Sequence, residues 1–212
     1  MSNYKPILFS TEMVKAILDG RKTQTRRIIK LPRWSTGNYK GIEISRHGIP
    51  ECICDSTGCF AEISSPYQVG DILWVRETWY YEEHMHDLTV GEPDLPSGRY
   101  AHRYVYRASQ PDYPVDIGVG EHGWHPSIHM PREAARIFLR VKDVRVERLQ
   151  DITEEDCYKE GVGRGAYVLS PEKKHGAFNN LWNSTIKKAD LDRYGWEVNP
   201  FCWVIEFERA EV

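Results

Sequence analysis

Residues 20–27, Gly-Arg-Lys-Thr-Gln-Thr-Arg-Arg, place four cations and two hydroxyls in one short stretch. In an extended strand Thr23, Thr25 and Arg27 share a face, and Lys22 at the preceding turn can fold over it. Neighbouring cations disfavour a further positive charge, which makes a partly buried lysine a better base or nucleophile. A threonine hydroxyl is a weak nucleophile until such a base lies within hydrogen-bond reach. The same residues would also serve as a basic turn that touches only solvent or phosphate. Local chemistry leaves both open.

Other groups could line a site. Arg76 and Glu77 are adjacent in Val-Arg-Glu-Thr-Trp, so on a strand they point to opposite faces and one of them is inside. A buried charge needs a partner, and a cleft acid would suit Arg76. Trp79, Trp124 and the Tyr80-Tyr81 pair could stack on a base, as they could equally fill a core. His129 and Arg132 stand in a segment that would either line a cleft or support it. Cys52, Cys54 and Cys59, with His47 nearby, lack the paired Cys-x-x-Cys knuckles of a zinc site, and His84-x-His86 is weaker still. The Gly161–Gly165 run follows a helical pattern rather than a strand, so it is no dinucleotide loop. No metal and no cofactor are expected.

Charge distribution supports an anionic ligand. The 212 residues carry a net charge of −3, yet the first 40 hold nine Lys and Arg against Glu12 and Asp19. A basic segment on an acidic body steers anions to one place. No apolar run reaches the ~18 residues of a membrane span. The start lacks a secretory pattern, and five cysteines are an odd, unevenly spaced set. A reduced cytoplasmic protein without a membrane partner is the expectation.

The elements that must position these groups are legible in part. Ser10 or Thr11 can cap a helix over Thr11–Asp19, with Met13, Val14, Ile17 and Leu18 on one face and Gly20 at its stop. Arg21–Ile29 then reads as a strand. Residues 31–66 look like an elaborated loop or small hairpin, and Gly70-Asp71 turns into a strand at Ile72–Trp79. Residues 82–131 are irregular and proline-interrupted. Arg136–Leu149 changes phase near Asp143, which predicts a bulged strand. Thr153 and Asp156 form a capping box for a helix ending at Gly161, a short helix fits Phe178–Ser184, and Phe-Cys-Trp-Val-Ile-Glu-Phe closes the chain as a strand. The pattern predicts an α+β fold, a small closed or half-closed β-barrel decorated by short helices.

Four blocks in order, Ile-Leu-Asp-Gly-Arg-Lys-Thr-Gln-Thr-Arg-Arg, Val-Gly-Asp-Ile-Leu-Trp-Val-Arg-Glu-Thr-Trp, Leu-Gln-Asp-Ile-Thr-Glu-Glu-Asp-Cys-Tyr-Lys-Glu-Gly and Trp-Val-Ile-Glu-Phe-Glu-Arg, resemble the ASCH-domain family of the PUA-like superfamily. The likeness is to its longer bacterial and prophage branch and runs from Lys5 to Arg209. It implies one domain over residues 1–212, with long insertions near 31–66 and 82–123. It also implies a PUA-like barrel whose cleft accepts a nucleoside or an RNA base.

Compact members of that family are acetylcytidine amidohydrolases with a Gly-Arg-Lys-Thr-x-Thr-x-Arg motif. The resemblance therefore implies catalytic roles for Lys22, Thr25 and Glu160. Arg21, Arg27, Arg76, Trp79, His129 and Arg132 are the expected substrate-binding residues. In that scheme a partly neutral Lys22 takes a proton from Thr25 or a water, Glu160 holds Lys22 or shuttles the proton, and Arg27 or turn N–H groups face the oxyanion. Gln24 and Arg26 replace apolar residues of the compact enzymes, so the substrate need not be the same. A non-catalytic reader of RNA or modified bases, and a ribonuclease, are the alternatives.

Overall fold

The computed structural model describes residues 3–30, 39–54, 60–84, 101–113, 115, 123–162 and 171–211. Its centre is a five-stranded sheet made of β1 (Tyr4–Leu8), β2 (Gln24–Ile28), β6 (Ile72–Arg76), β9 (Phe138–Arg148) and β10 (Phe201–Ala210). The spatial order is β1-β6-β9-β10-β2. Only β1 and β6 run parallel; the remaining neighbours are antiparallel. β3 (Tyr39–Ile44), β4 (Pro50–Cys54) and β5 (Phe60–Glu62) form a separate three-stranded sheet. β7 (Trp79–His84) pairs with β8 (Ala101–Tyr106). The chain is thus mixed α+β, with several sheets and few helices.

Sequence explains the centre well. β10 lies between β9 and β2 and is packed on both faces, which is why it reads as an apolar run rather than an alternation. Trp203, Ile205 and Phe207 enter one core with Ile7, Phe9, Leu73 and Leu139. Cys202 enters a second with Leu149, Ile152, Cys157, Phe178 and Trp182. In β9 the pairing steps from Glu206↔Asp143 to Phe207↔Val141, leaving Lys142 as the extra residue of the expected bulge.

Three helices matter here. α1 (Thr11–Leu18) is capped by the Ser10 side chain and stopped by Gly20, which has φ +73°. α2 (Glu154–Lys159) starts on the reciprocal Thr153–Asp156 capping box. α3 (Pro171–Thr185) is longer than the Phe178–Ser184 segment that periodicity marked, because the apolar contacts cluster near its end.

Several features departed from expectation. β1 was not foreseen, since its five residues carry one buried side chain and no alternation to read. The stretch read as one strand to Trp79 is two, β6 and β7, whose partners lie in different sheets. The region expected as an elaborated loop or small hairpin carries three strands, one more than a hairpin. β1 and β2, at opposite ends of the sheet, share no strand pairing. A side-chain bond links them, from Arg27 Nη2 to the Leu8 carbonyl at 2.7 Å.

Candidate functional site

The last turn of a helix leaves carbonyls without intrahelical partners. At the end of α2 the Gly20–Thr23 segment supplies the missing donors, residue by residue. Arg21 Nη1 donates to the Gly161 carbonyl at 3.0 Å, Lys22 Nζ to the Glu160 carbonyl at 2.9 Å, and the Thr23 backbone N–H to the Lys159 carbonyl at 2.9 Å. Two of these donors are cationic, the charge a helix C-terminus favours. Arg21 also pairs with Asp19 at 2.9 Å. It is therefore engaged in holding two elements together.

Lys22 is 2% exposed. Its Nζ meets Glu160 Oε2 at 2.7 Å and the Gln24 carbonyl at 2.8 Å, besides the Glu160 carbonyl. Burial presses its pKa below the usual lysine range, Glu160 opposes that, and Arg27 and Arg26 add smaller downward pushes. Desolvation, not the neighbouring cations, is thus the leading cause. Three acceptors match the three hydrogens of an ammonium, whereas a neutral amine has only two to give. That set of acceptors fits the charged form of Lys22.

Glu160, buried at the C-cap of α2, holds a second cation through its other oxygen. Arg26 Nη1 lies 3.3 Å from Oε1, while Arg26 Nη2 reaches Glu147 at 2.7 Å and Asp156 at 3.1 Å. Arg145 joins from β9, 2.6 Å from Glu147 and 2.7 Å from Glu206. This network explains why β2 carries Arg26 and Gln24 where an apolar residue would be ordinary. Sequence reasoning noted both as departures and missed their partners. The signal was there: alternation puts Gln24 and Arg26 on the face opposite Thr25 and Arg27.

Thr25 and Arg27 occupy that other face, opposite Ile205 and Trp203. Arg27 lies over the Phe9 ring at 5.1 Å, and Lys22 Nζ stands 5.7 Å from the same ring. Thr25, Arg26, Arg27 and Glu160 line a cavity of about 30 Å³, closed on its far side by Phe178 and Trp182 of α3. That is room for one water molecule, not for a base. Trp182 is pinned, its indole N–H donating to the Tyr194 carbonyl at 2.8 Å.

The structure therefore brings Lys22, Thr25, Glu160, Arg21 and Arg27 together around the end of α2. Arg76 stands near Arg27, because it pairs in register with Leu8, whose carbonyl Arg27 binds. Its guanidinium donates to the Ile128 carbonyl rather than to a cleft acid, and exposed His129 follows in the chain. Glu77, not Arg76, is the buried member of that pair. Arg132 lies over the Tyr4 ring at 4.2 Å, at the opposite end of β1. Tyr4 and Leu8 are four residue steps apart along the strand, roughly 13 Å. Trp79 of β7 packs on His125, outside the β7–β8 pair, with ring centroids 4.8 Å apart.

Among the described residues no group of three His, Cys, Asp or Glu could hold a metal ion, and no helix is long and apolar enough to cross a membrane. Cys52 is buried, with its thiol directed to the Ala61 carbonyl. Cys59, His86 and residues 163–165 of the glycine run lie outside the described residues, as do the side chains of Cys54 and His84. Compared with known families, curated proteins and solved structures, the chain matches none.

Proposed function

We propose that this chain is an ASCH-type protein with a half-closed, PUA-like barrel that binds a nucleoside or RNA in the cytoplasm, and that its Lys22–Thr25–Glu160 cluster hydrolyses the amide of an acylated pyrimidine nucleoside such as acetylcytidine. The observation that carries this is the buried Lys22–Glu160 pair, 2.7 Å apart, whose carboxylate borders a water-sized cavity shared with Thr25 and Arg27. The four sequence blocks and the Arg27–Leu8 bridge between the sheet's end strands support the fold.

With Lys22 charged, the roles divide differently from a lysine base. Glu160 takes a proton from a water whose oxygen attacks the acetyl carbonyl carbon. Arg27, which lines the cavity, stabilises the oxyanion of the tetrahedral intermediate, while Lys22 holds Glu160 in place. Its collapse breaks the C–N bond, and the proton on Glu160 goes to the departing cytidine amine, leaving acetate and cytidine. Thr25 positions the water. At about 30 Å³, with Phe178 and Trp182 of α3 closing one side, the cavity admits an acyl group only when its walls move.

That closure and the three acceptors on Lys22 favour a second reading, a nucleoside- or RNA-binding module without turnover. Incubation with acetylcytidine and with a short RNA, followed by mass spectrometry beside Glu160→Gln, separates the two. Loss of 42 mass units (the ~42 Da of a ketene-equivalent acetyl) only in the unsubstituted protein supports hydrolysis. Retained binding with both substrates intact supports the module. Shortened RNA overturns both in favour of a ribonuclease.

A further inference from the structure

A second cavity lies away from Lys22, beside the β7–β8 hairpin. It measures about 660 Å³, within the usual range for small-molecule sites. Its walls are Trp79, Tyr80, Tyr81, Tyr104 and His125, with Glu133 beside them. Trp79 and Tyr81 each approach Tyr104, at centroid separations of 5.8 and 5.6 Å. The hairpin register fixes these rings, since Tyr81 sits opposite Tyr104, and a two-way backbone bridge ties Trp79 to His125.

Ring faces carry negative potential, and Trp, then Tyr, are the strongest partners for a cation. Among the described lining residues Glu133 is the formally charged one, and it is exposed. Among the described lining residues there is no lysine or arginine to hold the phosphate of a nucleotide. An anion is disfavoured and a soft organic cation favoured. A quaternary ammonium suits the walls best, because it has no N–H groups that need acceptors and sheds water more cheaply than a primary ammonium. We propose that this pocket is a second binding site, independent of the Lys22 cluster, for a quaternary ammonium group.

The test is ligand-observed NMR titration of the full chain with choline, with its neutral carbon isostere 3,3-dimethylbutan-1-ol, and with cytidine monophosphate. Choline should bind about tenfold more tightly than the isostere, the selectivity expected of a desolvated cation over aromatic faces. Glu133→Gln, at an exposed position, should weaken choline severalfold and leave the isostere unchanged. Tyr104→Leu should remove most of the preference. Equal affinity for choline and isostere overturns the proposal, as does no choline binding at millimolar concentration. Tighter binding of the nucleotide than of choline also overturns it and makes the rings a base-stacking platform. None of these results depends on whether acetylcytidine is hydrolysed.

Discussion

Lys22 Nζ binds Glu160 twice, through the carboxylate at 2.7 Å and through the backbone carbonyl at 2.9 Å. One cation thereby caps the end of α2 and neutralises a buried acid at the same residue. Structural and chemical demands fall on one side chain, so stability and turnover must be separated by experiment.

Lys22→Met leaves the buried Glu160 carboxylate with Arg26 alone, at 3.3 Å. Removing one partner of a buried pair costs about 3–5 kcal/mol. Lys22→Met/Glu160→Gln removes the uncompensated charge and should recover a large part of that loss. Urea unfolding of both variants checks this. Should the single substitution cost less than the double, the pair does not hold the fold.

Gly161 tests the fit between α2 and the Lys22 segment. It has φ +88°, and a Cβ there would sit 2.8 Å from Ala16 Cβ and 3.3 Å from Lys22 Cβ. Gly20 has φ +73° with nothing within 4 Å. Alanine at either position meets the left-handed penalty of roughly 1–2 kcal/mol. At Gly161 overpacking adds about 1–3 kcal/mol. Thermal unfolding should therefore rank Gly161→Ala below Gly20→Ala, and equal midpoints would show that the segment yields freely.

Much of this frame was legible because its signals are local. Ser10, Thr153 with Asp156, and Gly161 announce helix ends through backbone geometry, and the phase change near Asp143 marks the bulge. Lys22 and Glu160 could be paired only through the family resemblance, since 138 residues separate them and no periodicity relates them. The Arg26 network was hidden for the same reason: Glu147, Asp156 and Glu160 belong to β9 and α2. β1 gave no pattern because its partner β6 is distant in sequence and most of its side chains stay outside the core.

Asp156 links that network to acidity. Burial pushes its carboxyl upward, but Arg26 and the Thr153 hydrogen bonds outweigh this and hold it below the usual carboxylate range. A depressed folded-state pKa contributes stability above the unfolded value, near 3.9, that is lost as pH falls through the folded one. Stability should drop below about pH 4. Asp156→Asn should flatten that limb while lowering stability at pH 7. Denaturation midpoints between pH 2 and 7 (the ~pH range spanning both carboxylate values) give the check; an unchanged acid limb would place the titrating group elsewhere.

Outside the proposed site, buried Glu77 pairs with the partly exposed Arg136. Glu77 is 1% exposed, and Arg136 chelates it through Nε and Nη2, each at 2.9 Å. Arg136 also lies over the Tyr106 ring at 4.0 Å and donates to Ser109. The fork geometry is specific to arginine, so Arg136→Lys should destabilise despite keeping the charge. Arg136→Met strands the carboxylate and should cost about 3–5 kcal/mol, whereas Glu77→Leu/Arg136→Met should cost less than the single variant. Turnover of acetylcytidine per folded molecule should stay unchanged in Arg136→Lys, because neither residue borders the cavity beside Glu160. Urea unfolding and the mass-spectrometric assay on the same preparations read both quantities. A loss of turnover without a loss of stability would move Arg136 into the reaction.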